Sequence, residues 1–227
     1  MNVERLLWDA RGRRRIPSGP AFDAAVAKLP RGRLERICEH NPWGPIYLIP
    51  TRRFLRALAG HIRAVGAREV VEVAAGDGHL GRSLQRIAPD LRVRMTDSGA
   101  WQRPEARMNA TERRTLRGVK GLRPGGDVLR LDALQAVRRF RPDLVLVSWL
   151  PPGPLLSRLV RSNVRYVLEI GAGSGITGDI RAWRYPHEFL EGPIERHGRC
   201  RLDERPAERL HTRATMYQGG SHPDFGR

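Results

Sequence analysis

The hydrophobic pattern of this chain is a series of short apolar runs, each followed by a turn and then by helical spacing. The clearest runs lie within residues 70–81, 91–97, 126–133, 142–152 and 164–170. A short apolar run bounded by turn residues is consistent with a buried strand. Helical spacing separates these runs, for example in residues 134–140 and 155–160. Because strands alternate with helices, the pattern predicts an α/β fold with a mostly parallel sheet.

The first run leads into a glycine-rich loop. Residues 70–73 have a strand pattern, Gly76 and Gly78 follow, and a helical pattern begins at Leu80. Glycine lets the backbone approach a ligand closely, and the free N–H groups at a helix N-terminus favour a polar or anionic group. Gly76, Gly78 and Gly81 also match the dinucleotide-binding pattern G-x-G-x-x-G, which is weak evidence alone. The loop therefore predicts a nucleotide-type ligand and leaves its identity open.

The same stretch carries a longer pattern. Glu72-x-Ala74-x-Gly76-x-Gly78 resembles motif I of class I S-adenosylmethionine-dependent methyltransferases, with Ala74 in place of the first glycine. The resemblance implies that Glu72 addresses the cationic amino acid part of the cofactor. It also implies a three-layer, Rossmann-like fold. In that fold a seven-stranded, mostly parallel sheet has the order 3-2-1-4-5-7-6 and includes a C-terminal antiparallel strand pair.

Residues at the ends of the next strands extend this resemblance. Asp97 ends the second predicted strand about 20 residues after the loop, where a carboxylate can accept hydrogen bonds from ribose hydroxyls. Asp132 and Ala133 resemble the position at which these enzymes place an acid near the adenine amino group. The predicted cofactor-binding residues are Glu72, Ala74, Gly76, Gly78, Asp97, Ser98, Asp132, Ala133 and Ser148.

Two further strand ends are predicted to lie on the substrate side. The segment 148–152 resembles motif IV of amino-directed methyltransferases, but two residues separate its serine from its paired prolines, so a nitrogen acceptor is not implied. The segment 169–175 matches motif I more closely than the first loop does, yet only 52 residues (227 − 175) follow it for the remaining strands. Residues 171–178 are therefore predicted to form a loop at the carboxyl edge of the sheet. The predicted substrate-side residues are Trp149, Pro151, Pro152, Glu169 and Gly171.

Both ends of the chain are predicted to lie outside the methyltransferase-like domain, which spans residues 66–218. Residues 1–65 are a basic extension, and Trp43 and Tyr47 in it either form part of a lid over the cofactor and substrate or plug the edge of the core. A helix at 189–196 and two strands, at 198–203 and 212–218, are predicted to complete the domain. Residues 219–227 are predicted to be a disordered tail.

The net charge of the chain indicates one class of binding partner. The chain has 41 Lys and Arg against 24 Asp and Glu, a net charge of +17 and a pI near 11.4. Codon bias in a GC-rich genome explains arginine over lysine, but it explains the excess of cations over anions less well. RNA or another polyanion fits the excess, because phosphates attract cations without reading sequence. A small metabolite as the methyl acceptor stays open.

The remaining composition narrows the chemistry. Cys38 and Cys200 suggest neither a disulfide framework nor a zinc site, and the histidines lack metal-ligand spacing, so no metal is expected. No apolar run approaches the roughly 18 residues of a membrane span, so a cytoplasmic protein is expected. Methyl transfer requires orientation of the nucleophile more than a fixed base, and no catalytic residue is assigned. The open alternatives are an NAD(P)-binding oxidoreductase and a non-catalytic S-adenosylmethionine-binding protein.

Overall fold

The computed structural model describes residues 2–100, 121–172, 177–194, 198–200 and 212–225. The helices are α1 (Val3–Leu7), α2 (Gly19–Val26), α3 (Arg33–Glu39), α4 (Arg52–Ala64), α5 (His79–Ile87), α6 (Ala133–Phe140) and α7 (Leu155–Val160), and a 3₁₀ helix spans Ile180–Arg184. The strands are β1 (Leu48–Pro50), β2 (Glu69–Val73), β3 (Arg92–Asp97), β4 (Leu129–Arg130), β5 (Leu144–Ser148), β6 (Tyr166–Ala172), β7 (His187–Phe189), β8 (Gly198–Cys200) and β9 (Thr212–Gln218).

Seven strands form one sheet with the spatial order β4-β3-β2-β5-β6-β9-β7. The first five are parallel, and β9 runs antiparallel between β6 and β7. Numbered along the chain within this sheet, the order is 3-2-1-4-5-7-6, so the predicted fold class is confirmed. The direction of strand succession reverses between β2 and β5. Open α/β sheets bind ligands at the carboxyl edge of such a reversal.

Helices cover both faces of this sheet, because alternate residues of each strand point to opposite sides. Val70, Leu144 and Leu146 pack with α4 and α5, whereas Val71 and Val145 pack with α6 and α7. All five are buried, as the valine-rich composition of a parallel sheet with two covered faces requires. Each such side chain stabilises the fold by roughly 1.5–3 kcal/mol through burial. The strand ends that carry the predicted site therefore rest on a rigid platform.

The N-terminal extension has a hydrophobic core of its own. Helices α1, α2 and α3 bury Leu7, Trp8, Phe22 and Leu34 against one another. The extension joins the main sheet through α4, whose first turn is capped by Thr51, since Phe54 N donates to Thr51 Oγ1 at 3.2 Å. The segment before β1 therefore folds around a hydrophobic cluster that is separate from the two clusters of the sheet.

The sixth strand of the sheet differs from the sequence prediction. The sixth position is taken by β7, while β8, which lies in the predicted strand 198–203, pairs with β1 in a separate two-stranded sheet. Two of the three β7 side chains, Glu188 and Phe189, are exposed, so the segment lacks the alternation that marks a strand. Phe189 belongs to this strand and not to the predicted helix 189–196, of which residues 195 and 196 lie outside the described part.

The predicted disordered tail is also different in the structure. Residues 219–225 fold back along β6, with Gly219 N donating to Arg165 O at 2.8 Å. The Tyr166 hydroxyl lies 3.1 Å from His222 Nε2, and the ring of Phe225 stacks on Tyr185 with centroids 5.6 Å apart. Two aromatic contacts thus anchor a segment whose small and polar residues suggested disorder. None of the helices in the described part of the chain is long and apolar enough to cross a membrane.

Candidate functional site

The glycine-rich loop lies between β2 and α5 at the reversal point of the sheet. Ala74, Gly76 and Gly78 all have left-handed backbone conformations, with φ of 51°, 55° and 74°. This conformation costs a residue with a Cβ roughly 1–2 kcal/mol, so Ala74 is the strained position of the loop. Gly78 is the N-cap of α5, and the loop therefore presents the start of that helix at the carboxyl edge.

Asp97, at the end of β3, is joined directly to this loop. Its Oδ2 accepts a hydrogen bond from Gly76 N at 2.9 Å, and its Oδ1 accepts one from Gly99 N at 2.6 Å. The carboxylate is partly exposed and keeps unused lone pairs. Ser98 follows it at the surface. The structure therefore brings together two of the predicted cofactor-binding residues, Gly76 and Asp97, on adjacent strands.

Glu72 has a different environment. Its side chain lies in the interior at 2% exposure, where Oε2 accepts a hydrogen bond from Gly81 N at 2.8 Å. A Cβ at position 81 would collide with that oxygen, so Gly81 permits the close approach of α5 to β2. Burial raises the pKa of Glu72 to about 8, against the opposing effect of the Gly81 hydrogen bond. Glu72 thus ties the helix to the strand and is largely protonated at neutral pH.

The other predicted cofactor residues occupy the same edge of the sheet. Asp132 is exposed and caps α6, accepting hydrogen bonds from Leu134 N and Gln135 N at 2.9 and 3.3 Å. Ala133 is buried in the first turn of that helix. Ser148 ends β5 and is partly buried. The strand ends predicted to contact the cofactor therefore share one edge, although this geometry does not by itself show a ligand.

The predicted substrate-side residues divide into two groups. Trp149 has a left-handed backbone with φ of 53°, its N–H donates to Ile170 O at 2.7 Å, and its ring lies 5.7 Å from that of Tyr47. The N-terminal extension therefore reaches the carboxyl edge of β5. Pro151 is partly buried and Pro152 is exposed in the turn that follows.

Glu169 and Gly171 form the second group and lie within β6, so the predicted loop 171–178 begins later than expected. Glu169 is 8% exposed and accepts a hydrogen bond from the Tyr217 hydroxyl at 3.4 Å. Burial raises its pKa to about 7, and the Tyr217 hydrogen bond opposes the rise. The Thr177 side chain packs on the Cα of Gly171. Residues 173–176 lie outside the described part.

A cleft of about 1580 Å³ opens beside the glycine-rich loop. One wall is the N-terminal extension around Gly12 and Trp43, a second is one side of α5 from His79 to Ile87, and the third is the loop 121–127. Asp77 of the glycine-rich loop and His79 at the start of α5 line the cleft, whereas Glu72 and Asp97 do not. This cleft therefore adjoins the predicted cofactor residues without containing them.

Several residues of this cleft were missed by sequence reasoning. Arg14 lies in the predicted basic extension, and its guanidinium donates to Leu48 O at 3.2 Å and to Asp77 Oδ2 at 3.3 Å. Arg82 and Arg86 are four residues apart on α5, a spacing that places both on one face of the helix. That spacing was the available signal. The spacing indicates a basic cleft only once the N-terminal extension is known to lie opposite this face of α5.

His79 lies at the floor of this basic region. It is 6% exposed, and burial, followed by the nearby Arg14, Arg82 and Arg86, lowers its pKa well below the usual value. The imidazole is therefore neutral at physiological pH. Within the described residues, no group of three histidine, cysteine, aspartate or glutamate side chains has the arrangement of a metal site.

The residues at the carboxyl edge fit S-adenosylmethionine in part. The left-handed loop and the Asp97–Gly76 link provide a backbone that a nucleoside can approach closely. The Leu122 side chain, however, packs directly on Gly76, where a Cβ would collide with it. Glu72 is sealed below α5 and does not present a charged carboxylate. A cofactor bound here would displace Leu122 and contact Asp97 more directly than Glu72.

No protein-family model matches the chain, and no curated protein matches it. Solved structures are similar at low identity. The methyltransferase domain of bacterial CtHen1 is 13% identical with a TM-score of 0.44, over 74% of this chain and 98% of that one. The plantazolicin methyltransferase BpumL, solved with SAH, is 10% identical with a TM-score of 0.39, over 74% and 84%.

An O-methyltransferase family protein from Burkholderia thailandensis is 14% identical with a TM-score of 0.37, over 74% of this chain and 57% of that one. Identities and scores of this size describe a distant likeness of fold. They do not establish an activity, so the case for a function depends on the residues of the site itself.

Proposed function

We propose that the protein is an S-adenosylmethionine-dependent methyltransferase. The observation that carries the proposal is the link between Asp97 and Gly76 at the reversal point of the sheet. There a partly exposed carboxylate lies beside a left-handed glycine loop, and a second acid, Asp132, ends the next strand region. Open α/β sheets bind nucleotide-type ligands at this place, and a carboxylate one strand away suits a ribose.

The proposal gives each residue a role. Asp97 accepts hydrogen bonds from the ribose hydroxyls, Asp132 and Ala133 border the adenine, and Gly76 allows the close approach of the backbone. Glu72 acts by fixing the first turn of α5 through Gly81. The bound cofactor would supply an activated methyl carbon and its own leaving group.

The chain itself has to orient the acceptor and exclude water from it. The rings of Trp149 and Tyr47 lie together at the carboxyl end of β5, and the proposal assigns both to the side from which an acceptor would approach. The proposal assigns no general base, because a methyl acceptor of low pKa does not need one.

Calorimetric titration with S-adenosylhomocysteine and, separately, with NADH tests the proposal. We expect saturable binding of S-adenosylhomocysteine and none of NADH, and we expect Asp97→Asn to weaken the former by at least tenfold. The matched control is Asp90→Asn, which removes a surface carboxylate paired with Arg63 far from the loop. Unfolding curves of both variants would show whether Asp97→Asn only destabilises the fold.

Three other results would redirect the assignment. Binding of NADH without S-adenosylhomocysteine would favour an NAD(P)-binding oxidoreductase. Binding of S-adenosylhomocysteine without transfer of a labelled methyl group into RNA, protein or small-molecule fractions would favour a non-catalytic binding protein. Binding of neither ligand would overturn the proposal. Transfer that disappears after nuclease treatment of the extract would identify RNA or DNA as the acceptor.

A further inference from the structure

The walls of the cleft beside the glycine-rich loop carry far more positive than negative charge. Its arginines are Arg13, Arg14, Arg15, Arg52, Arg82, Arg86 and Arg123, and its acids are Asp9, Asp77 and Asp127. Each acid is already bonded to an arginine, at 2.7 Å (Asp9–Arg13), 3.3 Å (Asp77–Arg14) and 2.5 Å (Asp127–Arg82). Codon bias does not explain why the excess gathers in one concave region.

Four arginines are left without an acidic partner among the described residues. They are Arg15, Arg52, Arg86 and Arg123, and all four are exposed. Two buried nitrogens in the same walls, Arg14 Nε and His79 Nε2, have no hydrogen-bond partner in the described part of the chain. Buried polar atoms in proteins are nearly always bonded to protein, water or ligand. The region therefore has unused capacity for both charge and hydrogen bonds.

The size of the cleft argues against a small ligand. Pockets for drug-sized molecules measure roughly 300–1,000 Å³, whereas this cleft has about 1580 Å³. A single phosphate or a mononucleotide would leave most of the arginines unoccupied. An extended chain of phosphates would engage several of them at once, because they stand on three different walls.

Trp43 adds an aromatic surface to the basic cleft. Its side chain is 54% exposed, one edge packs on Gly12, and its ring lies 5.1 Å from the buried Trp8. The ring is thus held in place from behind while much of it faces solvent. A positively charged groove with a fixed, exposed aromatic ring is the arrangement that binds single-stranded nucleic acid, since the unpaired bases can stack. A duplex would offer no free base face.

We propose that this cleft binds single-stranded nucleic acid, with phosphates on Arg15, Arg52, Arg86 and Arg123 and a base stacked on Trp43. The cleft reaches Asp77 in the glycine-rich loop, so the bound strand runs beside the proposed cofactor site. Binding is independent of methyl transfer. That the strand is also the methyl acceptor rests on the proposed function.

Fluorescence anisotropy with a labelled oligouridylate of about 12 nucleotides tests the proposal, because single-strand sites commonly span about 4–16 nucleotides. With four arginines engaged, the logarithm of the association constant should fall with the logarithm of salt concentration at a slope of about −3. The double variant Arg52→Glu/Arg86→Glu should bind at least tenfold more weakly and with a flatter slope. Neither arginine forms an ion pair with a described residue, so folding should be unaffected.

The matched control is Arg138→Glu/Arg158→Glu. This double variant makes the same charge change at two exposed positions on the opposite face of the sheet, on α6 and α7. We expect less than a threefold effect on oligonucleotide affinity. Trp43→Ala should weaken binding about tenfold and Trp43→Phe much less, since one stacked base contributes on the order of a tenfold factor or more.

An oligodeoxynucleotide of the same length distinguishes RNA from DNA, and binding of either supports the proposal. Equal losses in the cleft and control double variants would overturn it, because they would indicate attraction to total charge alone. Absence of oligonucleotide binding, with tight binding of a small phosphate ester such as ATP, would also overturn it. Titration with S-adenosylhomocysteine keeps the two proposals apart, since the cleft variants should retain that affinity. A protein that binds the oligonucleotide but not S-adenosylhomocysteine would refute only the proposed function.

Discussion

Two acidic residues at neighbouring strand ends, Asp97 and Glu72, show how similar side chains can lie in opposite environments. Asp97 stays partly exposed and accepts hydrogen bonds from two backbone N–H groups. Glu72 lies only one strand away but is sealed under α5, where desolvation favours the neutral form. A sequence motif fixes the positions of both acids, whereas only packing decides which of them can meet a ligand as a carboxylate.

The burial of Glu72 predicts a distinctive dependence of stability on pH. Its pKa is raised from 4.5 to about 8 in the folded chain, so between these values the folded state holds a proton that the unfolded state has lost. The free energy of unfolding therefore falls as pH rises through this window. Glu72→Gln keeps an acceptor for Gly81 N–H but has no proton to lose. Relative to wild type, the variant should gain on the order of 3–4 kcal/mol from pH 4.5 to 8.

Denaturant unfolding at several pH values measures this difference. Glu69→Gln is the matched control, because Glu69 is in the same strand but its pKa is lowered by hydrogen bonds from Arg94 and Arg92. The stabilisation by charged Glu69 is fully present above the pKa of this residue in the unfolded chain. The difference in free energy of unfolding between this variant and wild type should therefore be constant from pH 5 to 8. A pH-independent difference for Glu72→Gln as well would show that Glu72 is charged in the folded state.

At the scale of single residues, the sequence predicted which strand ends carry the candidate site but not the contacts that their side chains make. The spacing of Glu72, Gly76 and Asp97 placed all three at one end of the sheet, and the structure brings Gly76 and Asp97 together. Whether Glu72 touches a cofactor stays a prediction. Its bond to Gly81 depends on how closely α5 approaches β2, which a one-dimensional pattern does not contain. Ala74 stands where the motif has a glycine, and its backbone has the positive φ that glycine adopts readily.

Among the elements, we expect the loop 121–127 to take part in ligand binding, because it lies against the glycine-rich loop. Leu122 packs on Gly76, and Gly125 sits so close to Asp77 O that a Cβ there would collide with it. If the cofactor occupies the space above Gly76, Leu122 has to leave it on binding. Leu122→Ala should therefore increase the affinity for S-adenosylhomocysteine, by about three- to tenfold, since less apolar contact is lost on opening.

Calorimetric titration of this variant measures the effect. Leu129→Ala is the control, because Leu129 in β4 is 46% exposed and does not pack on Gly76 as Leu122 does. It should leave the affinity unchanged. A decrease in affinity for Leu122→Ala would mean that Leu122 is a wall of the bound site and contributes contacts to the ligand.

The strands show where sequence patterns succeed and fail at this scale. The three central parallel strands, β2, β5 and β6, were predicted because a strand buried on both faces has to be a continuous apolar run. The strand β7 was missed because it is three residues long and lies at the edge of the sheet with exposed side chains. The pairing of β8 with β1 joins segments far apart in sequence, and no local signal specifies it.

On the scale of the whole molecule, the chain has a layered hydrophobic core. Two clusters cover the faces of the sheet, and a third, centred on Phe22 and Leu34, belongs to the N-terminal extension and shares no residue with the others. The extension supplies Gly12 and Trp43 to the basic cleft, while the sheet supplies Asp77. Binding in the cleft therefore depends on two layers with separate cores.

This division predicts that the N-terminal layer can open by itself. Phe22 is 1% exposed, so Phe22→Ala should remove roughly 3–5 kcal/mol of packing from that layer alone. Parts of a protein that open independently do so at different free energies. Hydrogen exchange should accelerate in α1, α2 and α3 while β2, β5 and β6 keep most of their protection. Affinity for the oligouridylate should also fall, because the N-terminal extension forms one wall of the basic cleft.

The comparison variant is Leu159→Ala. Leu159 is also fully buried, but it lies in α7, which packs on the sheet. Its effect should appear first in β5 and β6, whose residues it contacts through the second cluster. Equal acceleration throughout the chain in Phe22→Ala would show that the two layers unfold as one unit. The N-terminal extension would then be an integral part of the domain, because its core could not be lost without losing the sheet.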